Sequence, residues 1–142
     1  MKIVIQKAKN ARYINNNELI SSIEEGLVLF VGITKFDTLD TLNWCAKKIL
    51  SLKLYNNWTQ NIIEKDLELL VLSQYTILAK FDGTKPSFNE MMDKNEAKQI
   101  FDKFIEILTD QYNEKNIKRG MFGAKPEVTI VNDGPFTAII EK

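Results

Sequence analysis

Hydrophobic and polar positions alternate from the first residues of the chain. Ile3 and Ile5 fall on one side and Val4 and Gln6 on the other, which predicts a strand over Met1–Ala8. Ala11–Ile14 either extends it or pairs with it, and Asn15-Asn16-Asn17 reads as a turn. Leu19–Ile23 reads as a short strand and Glu25-Gly26 as another turn. The run Leu27–Ile33 is continuous, β-branched and aromatic, as in a central strand buried on both faces. Asp37, Thr38 and Asp40 offer N-caps for a helix to about Ser51, with Leu39, Leu42, Ala46, Ile49 and Leu50 on its apolar face. Lys53–Tyr55 is a further candidate strand, and the polar stretch Asn56–Lys65 a loop or hairpin.

A second apolar run, Leu67–Leu78, predicts another buried strand. Lys80–Pro86 carries Gly83 and Pro86 and reads as a loop. Ser87 with Glu90, or Asp93 with Glu96, has capping-box spacing. Either would start a long amphipathic helix to about Tyr112, with Ala97, Ile100, Phe101, Phe104, Ile105 and Leu108 on one face. Lys118–Pro126 reads as a glycine-containing loop, followed by strands at Glu127–Val131 and Phe136–Ile140. The order β-β-β-α-β-β-α-β-β does not alternate as strict βαβ units. It implies an α/β fold: one domain over residues 1–142, with a curved or barrel-like mixed sheet packed by two main helices.

Composition narrows the chemistry. No apolar run reaches the roughly 18–20 residues of a membrane helix, so a cytoplasmic protein is expected. The single cysteine, Cys45, leaves no internal disulfide and no multi-cysteine zinc site, and it reads as a small core residue in a helical pattern. Histidine is absent, which removes histidine bases and the triads built on them. Any catalysis must therefore use carboxylates, hydroxyls, backbone dipoles or groups of the substrate. Nineteen basic residues balance nineteen acidic ones, so bulk charge gives no sign of a nucleic-acid partner, though a local basic strip stays open.

Two stretches carry candidate chemistry. The apolar run Leu67–Leu72 ends in Ser73-Gln74-Tyr75-Thr76, and polar side chains on a buried strand need partners. They either bond neighbouring backbone at a strand end or converge on a ligand. Near the C-terminus, Asn132-Asp133-Gly134 between apolar runs reads as a tight hairpin turn. Pro135 follows, and proline cannot donate to a strand ladder. A cis Gly134-Pro135 bond would turn two successive carbonyls to nearly the same side and make a rigid acceptor pair. Phe88 and Phe122 are candidates to stack a base, and Lys7, Lys85, Lys118 and Arg119 to meet phosphate; core and solvated-surface roles compete for each. Gly120–Ala124 does not match a phosphate loop.

Taken in order, Met1–Gln6, Gly26–Thr34, Ser73–Thr76, Gly83–Phe88, Phe122–Ala124 and Asn132–Thr137 span the chain. The set resembles the D-aminoacyl-tRNA deacylase family, of the D-Tyr-tRNA deacylase type. The resemblance implies hydrolysis of the ester joining a D-amino acid, or glycine mischarged on alanine tRNA, to the 3′-terminal adenosine of tRNA. It implies proofreading without metal or cofactor, by a homodimer with its sites at the interface, and no DNA or membrane partner. Ser73, Gln74, Tyr75 and Thr76 would line the catalytic pocket. Gln74 and backbone N–H groups near Tyr75 and Thr76 would polarise the carbonyl, and the tRNA 2′-hydroxyl would assist the attacking water. Gly134-Pro135, in cis, would enter the partner's pocket and exclude L side chains. Asn132 and Thr137 would hold that loop, with Lys7 standing where the family usually has arginine. Pro126 stands where the family usually has methionine. Phe88 and Phe122 would wall the adenosine. A deacylase of shifted specificity, or a tRNA-end binding module without turnover, would share the same fold.

Overall fold

A computed structural model describes residues 1–142. The first strand, β1 (Lys2–Asn15), is continuous, so Ala11–Ile14 extends it. It turns back through Asn16 and Asn17, both at positive φ, a backbone region that asparagine tolerates. The returning strand β2 (Glu18–Ile23) pairs antiparallel with the second half of β1, and β3 (Gly26–Gly32) with the first half. Thus β2 and β3 run end to end along one edge of β1. Gly26 was expected in the turn but opens β3. A Cβ there would stand 2.0 Å from the carbonyl oxygen of Glu68, so this strand crossing requires glycine.

Helix α1 (Leu39–Ser51) starts at Thr38, whose hydroxyl accepts from Thr41 N–H while the Thr41 hydroxyl accepts in return from Thr38 N–H. Of its expected apolar face, Leu42, Ala46, Ile49 and Leu50 are buried and Leu39 is exposed. Lys53–Tyr55 is not a strand; Tyr55 makes one isolated bridge to Gln60 around a turn in which Asn56, Asn57 and Trp58 all have positive φ. The second apolar run forms β4 (Glu68–Ser73), parallel to β3, then breaks into a 3-10 turn over Tyr75–Leu78. The expected loop after it is a small hairpin, β5 (Lys80–Asp82) and β6 (Lys85–Ser87).

Helix α2 (Lys94–Gln111) is capped by Asp93, whose carboxylate accepts from Asn95 and Glu96 N–H. Inside the expected loop near residue 118 lies a short strand, β7 (Ile117–Arg119), parallel to β4. The last two expected strands are one, β8 (Glu127–Glu141), antiparallel to β1 on both sides of an unpaired stretch at Asp133–Phe136. The sheet runs β7-β4-β3-β1-β8, with β2 beside β1 on the β3 edge.

Both faces of the central strands are covered. Leu27, Leu29 and Val31 of β3, with Leu69 and Val71 of β4, pack under α1 and α2 with Phe101 and Phe104. Each buried phenylalanine contributes on the order of 2–3 kcal/mol. Val28, Leu70 and Leu72 face the other way, onto Ala8, Ala11, Tyr13 and Ile23. That second cluster requires the sheet to curl. Ser21 on β2 donates to Arg119 O of β7 at 2.9 Å, and the Tyr13 hydroxyl donates to Met121 O at 3.2 Å. The sheet is barrel-like, with its two helices outside. No helix is long and apolar enough to cross a membrane.

Candidate active site

The break after β4 builds the site. Gln74 N–H still donates to Val31 O at 2.8 Å, so β4 stays in register with β3 to that point. The chain then winds into the 3-10 turn because Gly32 leaves room for it. A Cβ on Gly32 would stand 2.8 Å from Ile77 and 2.9 Å from Leu78 side-chain carbons. In a continued β4, Gln74 and Thr76 would share a face about 7 Å apart; winding brings them together, and the Gln74 side-chain amide donates to the Thr76 hydroxyl. Tyr75 is half-exposed and meets the Phe88 ring edge-on, with centroids 5.1 Å apart.

Beside this turn lies a cavity of about 540 Å³. Its floor is Val31, Ile33, Ser73 and Gln74, with Tyr75 at the edge. One wall comes from the approach to α2 and its first turns: Met91, Met92, Lys94 and Ala97. The other is Phe122–Pro126. Phe122 is held from behind by Phe101, at 5.7 Å between centroids. The volume suits a small organic ligand, and mostly apolar walls with a few convergent polar groups are what such a site needs. Ser73, Gln74, Tyr75 and Phe122 are therefore brought together at one cavity. Thr76 is tied to it through Gln74, and Phe88 through Tyr75. No cluster of carboxylate or cysteine side chains is suited to a metal ion.

Asn132, Gly134, Pro135 and Thr137 lie elsewhere, and the hairpin expected at Asn132-Asp133-Gly134 is absent. Asn132 pairs with Ala8 and Thr137 with Gln6, so the chain passes the loop without reversing. Asp133–Phe136 bulges from β8 opposite Lys7. The Gly134–Pro135 peptide is cis. Asn132 closes the base of the bulge: its side-chain oxygen accepts from Phe136 N–H at 2.7 Å, and its amide donates to Phe136 O at 3.1 Å. Gln6 donates to the Thr137 hydroxyl at 3.4 Å. Lys7 instead donates to Leu54 O at 2.9 Å and lies 4.6 Å from the centre of the Tyr55 ring. Trp58, which no sequence signal singles out, packs on Phe136 at 6.2 Å between ring centroids.

The bulge is remote from the chain's own cavity. Lys7 pairs with Leu27, and the cavity residue Val31 lies four positions further along β3, about 13 Å away. The bulge also lies across β1, on its opposite edge. Along β8 no residue is fully buried, and Val131 and Ile139 are exposed.

A family model described as D-Tyr-tRNA(Tyr) deacylase matches residues 4–141. Among curated proteins, a D-aminoacyl-tRNA deacylase of Saccharomyces cerevisiae is 37% identical, over 99% of this chain and 98% of the yeast protein. One of Drosophila melanogaster is 38% identical, over 99% and 92% of the two chains. Among solved structures, c-Myc DNA Unwinding Element Binding Protein superposes with a TM-score of 0.96 at 34% identity, over 100% of this chain and 99% of the other.

Proposed function

The chain belongs to the D-Tyr-tRNA(Tyr) deacylase family and is a D-aminoacyl-tRNA deacylase, a hydrolase; from that premise we propose how its residues divide the reaction. The observation that carries the reading is Ser73, Gln74 and Tyr75 at the cavity, with Gln74 anchored on Thr76. Water adds to the ester carbonyl and its electrons move to oxygen. The tetrahedral oxyanion then collapses, expelling the ribose oxygen, which takes a proton. The second amide hydrogen of Gln74 and the N–H groups that open the 3-10 turn, at Tyr75 and Thr76, stabilise that oxyanion. Thr76 positions Gln74 rather than attacking, because a hydroxyl without an adjacent base is a poor nucleophile. The ribose 2′-hydroxyl assists the water, a role compatible with the absence of histidine from the chain. The adenosine lies against Phe122, with Phe88 supporting through Tyr75.

The Gly134-Pro135 carbonyls act in a second copy of the chain. The remoteness of the bulge from its own cavity supports this, as do the unpaired outer edge of β8 and the exposed Val131 and Ile139. In the partner's cavity the two carbonyls accept from the substrate α-amino group and crowd the position of an L side chain, while a glycine ester passes. The functional unit is thus a homodimer, and its place of work the cytoplasm, where tRNA is charged.

Ester loss from D-Tyr-tRNA and L-Tyr-tRNA tests this reading. Only the D ester should be lost, and Gln74→Ala should slow its loss by about 10²-fold or more. Equal loss of both esters would remove the chiral gate. Loss of neither, with tRNA still bound, would leave a binding module.

A further inference from the structure

Two lysines line the cavity that the Tyr75 turn opens into, and the reaction just described uses neither. Lys94 occupies the first turn of α2, and Lys125 lies in the opposite wall. Lys94 reaches across to that wall: its terminal carbon and ammonium lie 3.3 and 3.6 Å from where a Cβ on Gly123 would be. Both residues are exposed, and neither belongs to an ion pair. Other cations nearby are engaged: Lys80 pairs with Glu90, Lys98 with Asp102, and Arg119 with Asp102. The carboxylate next to Lys94, on Asp93, caps α2 through one oxygen, which accepts from the N–H groups of Asn95 and Glu96, and it makes no ion pair with Lys94. Two lysines without an ion-pair partner therefore line one cavity from opposite walls, where an anion could meet both. None of the four cations named from sequence as phosphate candidates, Lys7, Lys85, Lys118 and Arg119, lines this cavity.

We propose that Lys94 and Lys125 bind the phosphodiester that joins the terminal adenosine of tRNA to the preceding nucleotide. This rests on the aminoacyl-tRNA reading above and adds a subsite to it. With the ester at Gln74 and the adenosine on Phe122, the 5′ side of that nucleotide leaves through the mouth between the two lysines. A phosphodiester carries one negative charge with several acceptor oxygens, and ammonium groups approaching from two walls meet it without the planar fork that arginine would impose. The contact fixes where the strand enters and ignores base identity, as phosphate contacts do.

The test compares two ligands, the trinucleotide CCA and free adenosine, which lacks the phosphodiester. Binding is measured by calorimetry for the wild-type dimer, Lys94→Gln, Lys125→Gln and the corresponding arginine variants. The ratio of CCA to adenosine affinity should fall by about tenfold for each glutamine variant, and arginine should restore most of it. The slope of log affinity for CCA against log salt should shrink by about 0.7 in total when both lysines are replaced, because they share one phosphate. An unchanged ratio, or equal loss for both ligands, overturns the assignment. Hydrolysis of D-Tyr-tRNA by the wild type is read separately. Turnover with an unchanged ratio sinks the lysine subsite and keeps the hydrolase; a falling ratio without turnover does the reverse.

Discussion

Asn132 clamps Phe136 by both of its backbone groups, accepting from its N–H at 2.7 Å and donating to its carbonyl at 3.1 Å. One side chain thus replaces the ladder bonds that β8 gives up at its bulge, and Gly134-Pro135 is held between its two ends. Asn132→Ala leaves two half-buried backbone groups without partners, a loss of about 1–2 kcal/mol. The expected outcome is a melting temperature lower by about 3–6 °C and a larger loss in D-Tyr-tRNA hydrolysis than that drop explains. Asn132→Asp keeps the acceptor for Phe136 N–H and should fall between. A wild-type hydrolysis rate in the alanine variant would show that the bulge needs no clamp.

If the bulge works in the partner's cavity, two differently damaged subunits should repair each other. A Gln74→Ala subunit has a poor pocket and an intact bulge; an Asn132→Ala subunit has the reverse. Random mixing pairs half of the subunits unlike, and each such dimer has one whole site. Deacylation should recover to about a quarter of wild type. No recovery after verified subunit exchange would place pocket and bulge in one chain.

The same interface reading makes the outer edge of β8 sensitive. Val131→Asp with Ile139→Lys sets charges on an exposed strand surface, where neither position supports the monomer core. Sedimentation should shift from dimer to monomer, with activity lost in parallel and the circular dichroism spectrum kept. A monomer of full activity would contradict the shared site.

Asp37 ties two distant parts of the chain. One oxygen pairs with the buried amino group of Met1, and the other accepts from Thr34 N–H at 2.7 Å. Asp37→Ala leaves a buried ammonium uncompensated, at a cost of about 3–5 kcal/mol. Urea denaturation should show a midpoint lowered with an unchanged slope. A difference under about 1 kcal/mol would mean that water reaches the amine and compensates it.

Cys45 is fully buried in α1, and burial pushes its thiol up to about 11. Thiolate is the reactive form, so at pH 8 the native protein should resist Ellman's reagent and the urea-unfolded protein should react within minutes. Rapid reaction of the native protein would reveal opening of α1 from the sheet.

The chain's periodicities determined most of the framework on their own. Leu27–Val31 and Leu69–Leu72 are apolar at every position because both faces of β3 and β4 are covered, and α2 announced itself through the spacing of Phe101, Phe104 and Leu108, while the choice between the Ser87 and Asp93 caps was left to the fold. The ordered motifs also singled out Ser73–Thr76, of which Ser73, Gln74 and Tyr75 line the cavity. Tertiary structure decided what local chemistry leaves degenerate. Ile117–Arg119 is too short to declare itself and is a strand because β4 offers an edge. Leu67–Leu78 looks like one strand, yet Gly32 gives the space that lets it wind after Ser73. Asn132-Asp133-Gly134 has the residues of a hairpin, but a turn and a bulge use the same glycine and asparagine conformations. Pairing with β1 on both sides of it, through Ala8 and Gln6, chose the bulge. The approach of Lys94 to the wall that holds Lys125 belongs to the same class, because residues thirty-one positions apart meet only when a helix and a loop are packed against one cavity.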